Sequence, residues 1–157
     1  MISRLRPADL VAAAGGLALL AALFLHWYGG DVLVTGGPPL RVEVTAWQAF
    51  SVLDVVLALL ALVPLALAFF QATRDSPALP VLFSVLTVVA GALAALLVLY
   101  RLINQPGPND AIEVEPGAWL ALAATLAIAA GGWRSTRDER MPGQPAPVIE
   151  HQPAPAP

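Results

Sequence analysis

Val81–Tyr100 reads VLFSVLTVVAGALAALLVLY, twenty residues in which Tyr100, the last, is the only ionisable group. Crossing ~30 Å of hydrocarbon as a helix takes about 20 apolar residues, so this stretch is long enough to span a bilayer by itself. A surface helix of a soluble domain keeps a polar face, and this one has none. Working outward from it, Leu10–Tyr28, Trp47–Phe70 and Gly117–Trp133 are further apolar stretches, with nearly all the charge between or beyond them. The sequence predicts an all-α transmembrane fold, a four-helix membrane bundle with spans of about 10–28, 47–70, 81–100 and 117–133. These lie in one domain, residues 1–140, followed by a disordered, Pro-rich cytoplasmic tail over 141–157. Tails of that composition cannot build a packed core.

Composition agrees. The chain of 157 residues is 58% apolar and 12% charged, against about 45–50% and 25% for soluble domains. A net charge of −3 is too small to suggest a nucleic-acid partner, and the basic residues are eight arginines with no lysine. There is no cysteine, which excludes disulfide staples and thiolate chemistry. His26 and His151 are the only imidazoles, so a zinc site would need mostly carboxylates. Neither cofactor nor metal is expected.

The ends of the spans carry their own signals. Arg4 and Arg6 precede the first stretch as in a secretory signal. Its apolar run exceeds the ~7–15 residues of a signal core, however, and Leu25-His26-Trp27-Tyr28 offers no small-residue cleavage site, so a retained helix is expected. Pro64 predicts a kink near Leu60–Pro64, and Pro116 suits the start of the fourth helix. With the N-terminus inside, the cytoplasmic segments hold Arg4, Arg6, Arg74, Arg134, Arg137 and Arg140, and the outer ones only Arg41 and Arg101. That bias places both termini in the cytoplasm. Trp27, Tyr28, Trp47, Tyr100 and Trp119 then collect at the outer boundary and Phe69, Phe70 and Trp133 at the inner one, where aromatic rings anchor at the headgroup level.

The loops differ. Gln71–Pro80 is short and stiffened by Pro77 and Pro80, which makes its flanking helices antiparallel neighbours. Val32-Leu33-Val34, the turn Gly36-Gly37-Pro38-Pro39 and Leu40–Thr45 read as strand, turn and strand, with Val42 and Val44 alternating against Arg41, Glu43 and Thr45. Ala111–Glu115 alternates in the same way and supplies a third strand for a small extracellular sheet. Small residues recur at four-residue spacing, as Ala12 and Gly16, Gly91 and Ala95, and Ala123, Ala127 and Gly131, permitting close helix contact either inside the bundle or between copies.

Two places offer function. Asp54 is the only carboxylate inside a predicted span. It lies seven residues past Trp47, or roughly 10 Å below the outer interface at 1.5 Å per residue. A charge there costs up to ~2.5–3.5 kcal/mol, so a partner is expected, and His26 and Arg101 end spans on the same side. Together they form a candidate intramembrane polar site, either a pair fixing helix register or a proton-responsive group. The other place is the outer face, where Asp31, Glu43, Asp110, Glu113 and Glu115 outnumber Arg41 and Arg101. Asn104, Gln105, Asn109, Asp110, Glu113 and Glu115 form the candidate docking surface. No EF-hand spacing, phosphate-cradling loop, HExxH or Ser–His–Asp set is present, so catalysis is not expected.

Thr45–Asp54 (TAWQAFSVLD), Tyr100–Pro108 (YRLINQPGP) and Gly131-Gly132-Trp133 together resemble uncharacterised four-span membrane proteins of actinobacteria. The resemblance runs to about Arg140 and implies a bacterial inner-membrane location and no activity. The layout also resembles the claudins as architecture alone, because the paired cysteines and Trp-Gly-Leu-Trp signature of that family are missing. The reading that results is a non-enzymatic structural or accessory membrane subunit. Its partners would be the lipid bilayer and either a second copy or a larger membrane protein. Its rival is a proton- or solute-responsive transporter or channel component using Asp54.

Overall fold

The computed structural model describes residues 6–33, 35–73, 78–107 and 112–139. The predicted tail and the candidate residues Asn109 and Asp110 lie outside these.

Helix α1 runs over Pro7–Ala22. Pro7 opens it, and Asp9 turns back so that its Oδ2 accepts the Arg6 backbone N–H at 3.2 Å, satisfying a donor the helix end would leave bare. The first predicted span continued to Tyr28, but α1 stops at Ala22. The indole N–H of Trp27 donates to the Ala22 carbonyl at 2.8 Å and closes the helix. His26, Trp27 and Tyr28 instead begin strand β1, His26–Val32. Hydropathy cannot see this boundary, because aromatic residues are as much at home in strands as at membrane interfaces.

Strand β2, Leu40–Thr45, falls where its alternation predicted, and β1 and β2 are joined through a turn in which Gly36 has φ +84°. Gly36 therefore occupies a conformation that other residues rarely adopt. Val32 is the last residue of the first arm rather than its first. The short strand β3, Glu113–Val114, pairs with the other side of β1, giving an antiparallel sheet of order β2-β1-β3.

The second predicted span is divided. Helix α2 covers Ala46–Ala49, with the Gln48 side chain accepting the Thr45 N–H at 2.9 Å. Phe50 then turns extended and stops it. Helix α3, Leu53–Thr73, begins after this break and continues as one helix through Pro64. Helix α4 spans Ala78–Ile103 and α5 Pro116–Glu139. Leu53–Thr73, Leu82–Ile103 and Pro116–Arg137 are each long and apolar enough to cross a membrane, whereas α1 is a shorter apolar helix of 16 residues.

Helices α1, α3, α4 and α5 close a ring in which α1 packs on α3, α3 on α4, α4 on α5 and α5 on α1. Glycines bring their backbones together. A β-carbon on Gly16 would stand 2.7 Å from the Ala61 carbonyl of α3 and 2.9 Å from the Pro64 ring, and one on Gly131 would stand 2.6 Å from the Ala12 nitrogen of α1. Gly91 lies equally tight against Ala129. The small-residue positions of α1 and α4 thus serve packing inside the bundle. Of the three small-residue positions on α5, Gly131 is buried, Ala127 half-buried and Ala123 faces outward. At the sheet end Leu23, Trp27, Tyr28, Phe50, Val98 and Ala118 join one buried cluster. On the helices the exposed side chains are largely Leu, Val and aromatic, among them Leu17, Leu59, Leu62, Leu96 and Leu126. With apolar residues outside as well as inside, the molecule is a multi-span α-helical membrane protein.

Candidate functional site: the sheet cap and the bundle carboxylates

Asp54 lies in the first turn of α3 rather than deep in a span, because the helix restarts at Leu53 after the Phe50 break. It is buried, and its carboxylate accepts the N–H of Val55 at 2.8 Å. The helix N-terminus is where a negative charge is most easily held, so the position supplies part of what a cationic partner would have given.

The two proposed partners are engaged elsewhere. His26 Nδ1 is 2.9 Å from Glu43 Oε2, across the β1–β2 ladder. The Arg101 guanidinium lies 4.7 Å from the centroid of the Phe50 ring and 5.9 Å from that of Tyr100, a cation–π arrangement. Its Nε is buried without a hydrogen-bond acceptor among the described residues. Phe50 in turn receives Trp27 and Tyr28 edge-on, at 5.5 and 6.0 Å. The Tyr28 hydroxyl donates to the Arg101 carbonyl at 2.9 Å, tying β1 to the end of α4. Burial pushes the Tyr28 hydroxyl up to about 12, with the Arg101 charge pulling the other way. Trp27 and Tyr28, expected as interface anchors, are core residues. Trp47, Tyr100 and Trp119 remain exposed at that end.

The sheet has two faces of opposite character, because residues alternate across it. Its register places Asp31 opposite Arg41, and Gly29 between Glu43 and Glu113, on the polar face. Arg41 reaches Glu115 at 2.5 Å, Glu113 at 3.0 Å and Glu43 at 3.4 Å. Hydrogen bonds to Glu115 and then Glu113 raise the Arg41 pKa and fix its cationic form. Gly29 makes room for this bridge, since a β-carbon there would meet Glu115 Oε1 at 2.6 Å. Two members of the candidate docking surface, Glu113 and Glu115, are therefore tied to Arg41, one cation shared among three carboxylates. Of the others, Asn104 donates to the Tyr100 hydroxyl at 2.7 Å, and Gln105 is half-buried at the end of α4.

The opposite face carries Tyr28, Val32, Leu40, Val42, Val44 and Val114 by the same register. A groove of about 450 Å³ opens along it, walled by Val42, Val44, Gln48, Ala49, Pro106 and Ile112. A second groove, of about 340 Å³, lies between α4 and α5 near the opposite end of the bundle. Asp54 lines neither.

One polar constellation has no counterpart in the sequence reading. Asp9 is fully buried, and the Ser135 hydroxyl donates to its Oδ1 at 2.7 Å, while Ser84 Oγ lies 3.1 Å from Ser135 Oγ. This chain links α1, α5 and α4 at the end away from the sheet. Pro7 followed by Asp9 is a helix-start signature that could have revealed it. Starting the span at Leu10 left Asp9 outside. Among the described residues, no group of three or more His, Cys, Asp or Glu is arranged to hold a metal ion. No protein-family model matches the chain, and neither does any curated protein or solved structure.

Proposed function

We propose that this chain is a non-enzymatic accessory subunit of a bacterial cell membrane. It crosses the bilayer four times, keeps both termini in the cytoplasm and presents its sheet to a larger membrane protein outside. The observation that carries this reading is the apolar side of the cap. On that face Leu40 is 60% exposed, Val32 53% and Val42 41%, and Leu33, just past the end of β1, is 86% exposed. Contiguous exposed apolar surface outside the spans is the usual mark of an interaction site. The groove beside it offers depth for an anchoring side chain. The arginine distribution supports the orientation, and the resemblance to four-span actinobacterial proteins supports the location.

The transporter reading gains nothing from Asp54, which is held at a helix start and lines neither groove. The test is crosslinking in the native membrane from a photoreactive residue at position 40, followed by affinity purification of the tagged chain. A single stoichiometric protein adduct, lost when Leu33→Asp is added, is expected. Recovery of the chain alone would overturn the accessory reading.

A further inference from the structure

The second groove lies at the end of the bundle away from the sheet. Its floor is Val85, Val88 and Val89, a single face of α4, and its wall is Trp133 of α5. Val85, Val89 and Trp133 are all about half exposed, on a surface that faces lipid in a membrane-spanning bundle. Gly132 sets the floor, since a β-carbon there would lie 2.8 Å from the Val88 nitrogen, so the two helices close beneath the valines. The mouth is different in kind. Arg137, one turn beyond Trp133, holds its guanidinium 5.2 Å from the centroid of that ring, and Thr136 stands beside it. The Thr136 hydroxyl donates to the Trp133 carbonyl at 2.7 Å. Arg137 has no carboxylate within ion-pair distance among the described residues.

An apolar trough facing lipid and ending in a cation at the membrane boundary has the polarity of an anionic phospholipid. We propose that this groove is a phospholipid site, with an acyl chain along Val85, Val88 and Val89 and an anionic headgroup phosphate on Arg137. Guanidinium and phosphate form charge-assisted hydrogen bonds, and stacking on Trp133 keeps the guanidinium placed without using its donors. Basic grooves between spanning helices select headgroups in this way. From Val89 to Val85 the floor runs four residues, roughly 6 Å of helix at 1.5 Å per residue, so it grips the first part of one chain and leaves the rest in the bilayer. The site goes beyond the accessory role proposed above and does not depend on which side of the membrane the sheet faces.

The test uses the full chain, purified in detergent and incubated with phosphatidylglycerol or with phosphatidylcholine of the same acyl chains. Native mass spectrometry counts the lipids retained, and a thermal melt follows in parallel. Wild type is expected to keep one phosphatidylglycerol at least fivefold more tightly than phosphatidylcholine. In Arg137→Gln that preference disappears while a folded melt remains. In Val89→Trp, which fills the trough, both lipids are lost. Leu62→Trp, on the lipid-facing side of α3, behaves as wild type. Equal retention of the two lipids by wild type, or an unchanged preference in Arg137→Gln, overturns the proposal. So does undiminished binding to Val89→Trp, as does a polypeptide taking the groove in place of lipid.

Discussion

Tyr28 joins the sheet to the bundle through one hydroxyl, and the composition of the chain lets that hydroxyl be watched alone. With no lysine and only two tyrosines in the chain, few groups compete with the Tyr28 signal between pH 10 and 12. Burial raises the Tyr28 pKa in the folded state from 10.0 to about 12. Its contribution is therefore complete below pH 10 and is lost as pH rises toward 12, because the unfolded chain releases the proton first. Denaturant titration in detergent should show wild type losing on the order of 2 kcal/mol across that window. Tyr28→Phe should start lower by about 1 kcal/mol for the missing hydrogen bond and stay nearly flat. A parallel decline in both proteins would mean that some other group responds. At this scale the sequence is least transparent. Asp54 draws the eye because apolar residues surround it, and Asp9 does not, because it follows Arg4, Arg6 and Pro7. Both nonetheless sit in the first turn of a helix and accept a backbone N–H nearby. What separates them is Ser135, which is 126 positions from Asp9 and can be joined to it only by the packing of α1 on α5.

At the scale of elements, the helices are legible and their ends are not. The α5 start at Pro116 and the β2 strand were readable from a proline and from strict alternation. The close of α1 was not, because it depends on the Trp27 indole reaching the Ala22 carbonyl. The break between α2 and α3 depends on Phe50 being drawn into the cluster with Trp27, Tyr28 and Arg101. Neither contact leaves a mark on hydropathy. The glycine spacing was visible, but only packing assigns each glycine its partner. Gly131 meets the α1 backbone at Ala12 and Ala8, so the obstacle to a side chain there cannot rotate away. Gly131→Ala should cost about 1–3 kcal/mol, typical of overpacking, measured as a lower unfolding midpoint in detergent. Ala123→Leu, two turns earlier on the same helix and facing outward, should leave the midpoint unchanged. Equal sensitivity at both positions would place the tight face of α5 elsewhere.

Across the whole molecule the question is whether α1 crosses with the other three. By length alone it falls short: 16 residues reach about 24 Å at 1.5 Å per residue, against ~30 Å of hydrocarbon. Its contacts argue otherwise. Asp9 meets Ser135, Gly131 meets Ala12, Gly15 meets Ala124, and the His26 carbonyl reaches Gly117. The chain from Asp9 to His26 thus accompanies α5 from Ser135 back to Gly117, about 27 Å at 1.5 Å per residue. On the four-span proposal, the turn after Ala22 would complete the crossing with Phe24 and Leu25, both exposed and apolar. The natural absence of cysteine makes this directly testable with single-cysteine variants and a membrane-impermeant maleimide. Leu33→Cys, beside the hairpin, should label in intact cells. Arg6→Cys, ahead of α1, and Thr73→Cys, at the end of α3, should label only after permeabilisation. If Arg6→Cys labelled together with Leu33→Cys while Thr73→Cys stayed protected, α1 would lie on the outer side and the protein would have three spans. If all three patterns reversed, the four crossings would stand, and the arginine bias would have given the wrong side for the sheet and for any partner that binds it.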